Sequence, residues 1–196
     1  MNPTLVKIFQ IPPNTKVRVI INFMPDYRRY YIPNSCVFIT VVTKNRIPYF
    51  NSHENKDIYL KTLEIVKTLY SFELFAFVVL PDHFHWIIQI MENQNNFSQI
   101  VHSFKRNCTN NFKALHAISE PFSLWQQRFW DHVILDDIDM KNHLDYIHWN
   151  PVKHNIVSVP DDYSLSSFHE FVKQGLYPSN WGAGEVPINV KDLCFE

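Results

Sequence analysis

The apolar patterning of this 196-residue chain runs strand, helix, two strands, helix, strand and one further helix. That order predicts an α+β fold: a ferredoxin-like (RRM-like) βαββαβ antiparallel sheet with helices on one face. Three observations carry the prediction: the β-branched run CVFITVVT, two strand-like runs separated only by Pro81-Asp82, and two amphipathic stretches lying between strands. At about 150 residues per domain, the length corresponds to one domain with an appended arm or tail.

Cys36 to Thr43 is bounded by Pro33-Asn34 and Lys44-Asn45 and reads as a well-buried first strand. From Glu54 to Tyr70, Ile58, Leu63, Val66 and Tyr70 recur at helical spacing. Leu74 to Leu80 and His83 to Ile90 form a hairpin about Pro81-Asp82, a pair suited to a tight turn. Phe97 to Leu115 makes a second helix and His132 to Leu135 a short strand. Asp136 or Asp137 caps a third helix that ends at Asn150, because Pro151 opposes continuation. Residues 1–23 form an N-terminal extension, 24–150 the principal domain, and 151–196 a tail with one helical stretch, Ser167 to Gln174, that packs on the domain or contacts a ligand.

Composition excludes several functions. All three glycines lie at Gly175 or later, so a phosphate-cradling Walker loop or a dinucleotide-binding turn, which need glycine for close backbone approach, is ruled out. Cys36, Cys108 and Cys194 are odd in number and without a CxxC pair, which suits a reducing cytoplasm. The longest apolar runs fall far short of the ~20 residues of a membrane span, and a cytoplasmic protein without a membrane partner is expected. The formal charge of −1 hides an asymmetry: basic residues predominate before residue 116 and acidic ones after it. Tyr27-Arg28-Arg29-Tyr30-Tyr31 sets guanidinium groups beside rings, a pattern that suits single-stranded nucleic acid as well as an ordinary solvated arm.

His83 and His85 occupy alternate positions of a strand, so both imidazoles project to one side and can share a metal ion. Tyr146 and Asn150, four apart on the third helix, lie on one helical face. The Asn amide oxygen is a candidate third ligand, with the Tyr hydroxyl one turn away. A half-buried tyrosine and a helix-capping asparagine would show the same spacing.

The residues PDHFHWIIQI and YIHWNPVKHNIV, with MPDYRRYYIP, FITVVTKNR, VHSFKRN, LWQQRFWDHVI and SSFHEFVKQGLYPSNWG, occur in an order that resembles the REP-associated tyrosine transposases. These are relatives of the small insertion-sequence transposases and belong to the HUH single-strand endonucleases. The resemblance spans about residues 24 to 182. It implies that residues 24–150 are an HUH transposase-like catalytic domain whose third helix bears the nucleophile. His83 and His85 match the metal-binding histidines, Tyr146 the nucleophile and Asn150 the polar third ligand. Asn155 stands where family members often have glycine, and residues 1–23 lie outside the pattern, which leaves Met1 and Met24 both open as starts.

The activity so implied is metal-dependent cleavage and rejoining of single-stranded DNA next to REP-like hairpins through a 5′-phosphotyrosine, with Mg²⁺ or Mn²⁺ as cofactor and the protein a monomer or homodimer. The tyrosine proton is expected to pass to the metal or its water, with His143 a weaker candidate. Arg28, Arg29, Lys44, Arg46, Lys105 and Arg106 are the expected phosphate contacts, and Trp125, Phe129 and Trp130 either stack on bases or pack in the core. Two other readings use the same residues. One is a domesticated, non-catalytic binding module displaying bases on a free sheet face. The other is a metal-dependent hydrolytic nuclease in which Tyr146 is only structural.

Overall fold

The structure is a computed structural model that describes residues 29, 31–32, 34–91, 96–184, 186–187 and 189–190. Arg28, Cys194 and the expected extension at 1–23 lie outside these residues. The elements are β1 (Cys36–Val42), α1 (His53–Leu69), β2 (Phe72–Val79), β3 (His83–Ile90), α2 (Phe97–Leu115), β4 (Trp130–Val133), α3 (Asp137–Lys153) and α4 (Phe168–Lys173). The sheet order is β2-β3-β1-β4 with antiparallel neighbours, the ferredoxin-like order expected from the sequence.

Strand alternation divides the core into two layers. Val37, Ile39 and Val41 of β1 and Phe84, Trp86 and Ile88 of β3 face Tyr59, Leu63 and Val66 of α1 and Ile100 and Phe104 of α2. Phe38 and Ile87 face the other way, against Tyr146, Ile147 and Trp149 of α3. This second face is covered, so the free sheet face invoked for a base-displaying module is absent. Trp125 and Phe129 are 4% and 6% exposed and belong to the first layer, which assigns them to packing rather than to base stacking.

The helix starts follow local chemistry. The Asn55 N–H donates to the Ser52 hydroxyl, Gln99 N–H to the Asn96 side chain and Asp139 N–H to the Asp136 carboxylate. The end of α3 departs from expectation, because the helix continues through Pro151 to Lys153. Pro151 stands two residues before the helix end, and its missing N–H costs α3 one bond, to the Ile147 carbonyl. The end is then closed by Ile156 N–H on the Pro151 carbonyl and Asn155 N–H on the Val152 carbonyl, with Asn155 left-handed at φ 55°. Asparagine is the non-glycine residue best suited to that conformation, so the departure at Asn155 keeps the turn. The last strand also differs: it spans Trp130–Val133 because Val37 to Thr40 of β1 pair with those residues.

The chain after α3 returns to β2. Tyr163 Oη donates to the Val79 carbonyl at 2.6 Å, and Ser167 N–H donates to the Phe77 carbonyl. Gly182, at φ 75°, lies so near Trp149 that a Cβ would fall 2.6 Å from its ring. His148 is buried among Phe168, Phe171 and Tyr177, its Nε2 2.9 Å from Ser167 Oγ, and burial lowers its pKa to about 3. In the unfolded chain the ring protonates near pH 6.5. Its contribution to stability is therefore complete above that pH and is lost as pH falls towards 3, at up to about 1.4 kcal/mol per pH unit. Urea midpoints of wild type should fall between pH 7 and 4 more steeply than those of His148→Gln, which keeps a donor and does not titrate. Equal slopes would remove this account.

Candidate metal and nucleophile site

The hairpin turn closes with Leu80 N–H on the His83 carbonyl and opens β3 directly onto the site. His83 and His85 project to the α3 side, both fully buried, with ring centroids 5.0 Å apart. Cross-strand register places Thr40 opposite His85, and Thr40 Oγ1 lies 2.8 Å from His85 Nδ1. His83 Nδ1 is 2.6 Å from Asp82 Oδ1. Arg46 donates to the other oxygen of that carboxylate at 3.0 Å. Burial acts to raise the Asp82 pKa, but the hydrogen bond and charge of His83 and the Arg46 guanidinium outweigh it and hold the group below the usual carboxylate range.

The third helix completes the arrangement. Asn150 Oδ1 lies 3.3 Å from His83 Nε2, and the Tyr146 ring meets His85 edge-on with centroids 5.3 Å apart. Asn150 is fully buried, Tyr146 is 1% exposed, and Asn150 Nδ2 has no hydrogen-bond partner among the described residues. Asp82 and Thr40 engage Nδ1 of the two rings, and His83 Nε2 faces the Asn150 amide oxygen, so Nε2 is the nitrogen through which each ring would meet an ion. Two imidazole nitrogens and an amide oxygen, held by an outer carboxylate and hydroxyl, form a donor set that fits one divalent ion. His83, His85 and Asn150 are the residues that would hold it.

The structure therefore brings His83, His85, Tyr146 and Asn150 together. It distributes the expected phosphate contacts differently. Arg29 pairs with Asp131 at 2.7 Å and lies 3.9 Å above the Phe129 ring, and Arg46 pairs with Asp82. Lys105 is 9% exposed and donates to the Gln126 and Gln127 carbonyls, so it braces a loop where a free phosphate ligand was expected. Lys44 and Arg106 are exposed.

His143 contacts the first turn of its own helix. Its Nδ1 faces Asp139 at 3.0 Å, it stacks on His132 at 4.8 Å, and burial lowers its pKa. His132, Asp139 and His143 form a second group of metal-type ligands. The Asp139 carboxylate there already accepts from Leu135 N–H and lies within hydrogen-bond distance of both imidazoles, which fastens β4 to the start of α3.

Sequence reasoning missed four neighbours of the site. Asp82 reads only as a turn residue, and Thr40 requires the β1–β3 register. His154, whose ring centroid is 4.9 Å from that of His83, and Lys153, whose Nζ is 3.0 Å from Tyr146 Oη, require a helix that passes Pro151. Continuing the helical period beyond the proline would have placed Lys153 above Tyr146.

A histidine pair on a ferredoxin-like sheet faces a tyrosine and an amide on one helix, a set of groups suited to phosphodiester chemistry. The chain belongs to the IS200-like transposase family, whose model matches residues 31–150. A REP-associated tyrosine transposase of Escherichia coli (strain K12) is 38% identical over 163 residues, 83% of this chain and 93% of its own. A relative from Haemophilus influenzae is 36% identical over 179 residues, 86% of this chain and 98% of its own. A solved REP-associated tyrosine transposase bound to a REP hairpin superimposes with a TM-score of 0.72 at 36% identity, covering 84% of this chain and 94% of that one.

Proposed function

We propose that this transposase is a metal-dependent single-strand DNA endonuclease and strand transferase that cuts and rejoins DNA next to REP-like hairpins, with Tyr146 as nucleophile. The observation that carries the reading is that one helix sets Asn150 against His83 and Tyr146 against His85. Tyr146 Oη attacks phosphorus. The Oη–P bond forms, the P–O3′ bond breaks, and a 5′-phosphotyrosine and a free 3′-hydroxyl result. The phosphoester is retained, so rejoining needs no nucleotide cofactor, which agrees with the lack of a glycine-rich phosphate loop. Asp82 and Thr40 fix the orientation of the two imidazoles. Mg²⁺ or Mn²⁺ held by His83, His85 and Asn150 would polarise the scissile phosphate and neutralise charge on the leaving oxygen.

For the strand, we assign the groove between α2 and residues 122–127, about 310 Å³ and lined by His102, Lys105, Arg106, Trp125 and Gln126. Burial and the nearby cations Lys105 and Arg29 lower the His102 pKa. Burial, then Arg29, brings that of Lys105 to about 8. Arg106→Ala should reduce the slope of log affinity against log salt by about one unit. Lys105→Ala should lower stability and leave the slope nearly unchanged. An unaltered slope for Arg106→Ala would take that residue off the DNA.

The reading as a whole is tested with labelled single-stranded DNA from the flanks of the protein's own gene, incubated with the protein and Mg²⁺ or Mn²⁺. A covalent protein–DNA band after denaturing electrophoresis is expected. Cleavage without a band would indicate hydrolysis, and binding without cleavage a domesticated binding module. Cytoplasmic action on DNA as a monomer or homodimer accords with this reading, and no described helix is long and apolar enough to cross a membrane.

A further inference from the structure

The geometry points to Lys153 as a further catalytic residue: its ammonium group holds Tyr146 Oη and stabilises the charge on that oxygen in both cleavage and rejoining. The inference rests on Tyr146 being the nucleophile. Lys153 lies seven residues after Tyr146, so two helical turns return it to the same face, with Asn150 between them. Helical side chains lean towards the N-terminus, and the lysine stem accordingly runs back over the tyrosine. Nζ reaches 3.0 Å from Oη and 4.6 Å from the ring centroid.

That placement depends on two features of the chain. The helix must pass Pro151, and it must end just beyond Lys153, which the bonded turn at Asn155 ensures. The other lysine of α3, Lys141, is directed elsewhere. It pairs with Asp145, whose carboxylate also accepts from the Tyr177 hydroxyl and the Asn189 amide.

In cleavage the phenolic proton leaves Oη as the Oη–P bond forms and P–O3′ breaks, and the departing 3′-oxygen takes up a proton. In rejoining the same bonds reverse, and Oη departs as a phenolate that is then protonated. Lys153 stays protonated throughout. It neither gives nor takes the proton, and its charge-assisted hydrogen bond strengthens as negative charge collects on Oη. Because both directions share one transition state, loss of the ammonium group should slow both by similar factors.

The test measures adduct formation in a single turnover at saturating hairpin-bearing DNA from the gene's own flanks, with Mn²⁺ present. Lys153→Met should lower the rate about 10²-fold, the scale seen when one preorganised donor to a developing anion is removed. DNA affinity and melting temperature should stay near wild type. Lys153→Arg should recover most of the loss, and added ethylammonium should partly restore Lys153→Ala, a rescue that a merely structural lysine would not allow. A Lys153→Met rate within about threefold of wild type, or a defect confined to DNA affinity, overturns the inference. If Lys153→Met does not fold, the Lys153→Ala rescue decides the matter, and absence of rescue overturns the inference. Failure of the underlying reading has a different signature: Tyr146→Phe would then still form the adduct.

Discussion

Tyr146→Phe is expected to eliminate the covalent protein–DNA adduct while preserving fold and hairpin binding. The substitution removes one oxygen. The ring keeps its edge contacts with His85 and Phe38, and loss of the hydrogen bond from Lys153 costs about 0.5–1.5 kcal/mol. The proposed chemistry depends on that oxygen entirely, so the adduct should drop below detection. Among the described residues, Tyr59, Tyr163 and Tyr177 are held elsewhere. Tyr59 Oη accepts from the Trp86 indole in the opposite core layer, Tyr163 donates to the Val79 carbonyl, and Tyr177 to Asp145. Burial also raises the pKa of Tyr59 well above the ordinary phenol range and that of Tyr163 to about 12, making both weaker sources of phenolate. An adduct formed by Tyr146→Phe would show that another residue attacks. Wild-type cleavage that never passes through an adduct would make the reaction hydrolytic.

The sequence made the sheet legible because its two faces are both buried and its strands are short, apolar and bounded by turn residues. His83–Ile90 and Phe97–Leu115 appear in the structure with the boundaries that the patterning predicts. Less was visible where structure depends on partners far along the chain. Trp130 and Asp131 are half-buried and carry no strand pattern, and their pairing with Thr40 and Ile39 draws them into β4. Lys105 reads as a surface cation until the loop at Gln126 and Gln127 folds over it. Within the site, His83, His85, Tyr146 and Asn150 were identifiable from spacing and resemblance, whereas Thr40 enters only through register. Lys153 was hidden by a local rule. Proline opposes helix continuation in general, yet here the helix forgoes one backbone bond and runs on to Lys153.

Replacing the histidines tests the metal independently of the nucleophile. His83→Ala and His85→Ala should each abolish divalent-dependent cleavage, because each removes one of three donors converging on a buried locus. Affinity for Mn²⁺, measured by calorimetry on the protein without DNA, should fall with activity. Asp82→Asn should act more weakly, about 10- to 100-fold in metal affinity, since it alters only the group that orients His83. Both alanine variants should remain folded, although His85→Ala leaves the Thr40 hydroxyl without its imidazole partner and should lower stability by about 1–3 kcal/mol. DNA affinity without metal should be unchanged, since neither histidine lies in the groove assigned to the strand. Full cleavage by both alanine variants in Mg²⁺ or Mn²⁺ would rule out this metal site. Lost cleavage with undiminished Mn²⁺ binding would instead move the ion elsewhere, with the cluster of His132, Asp139 and His143 the next group to replace.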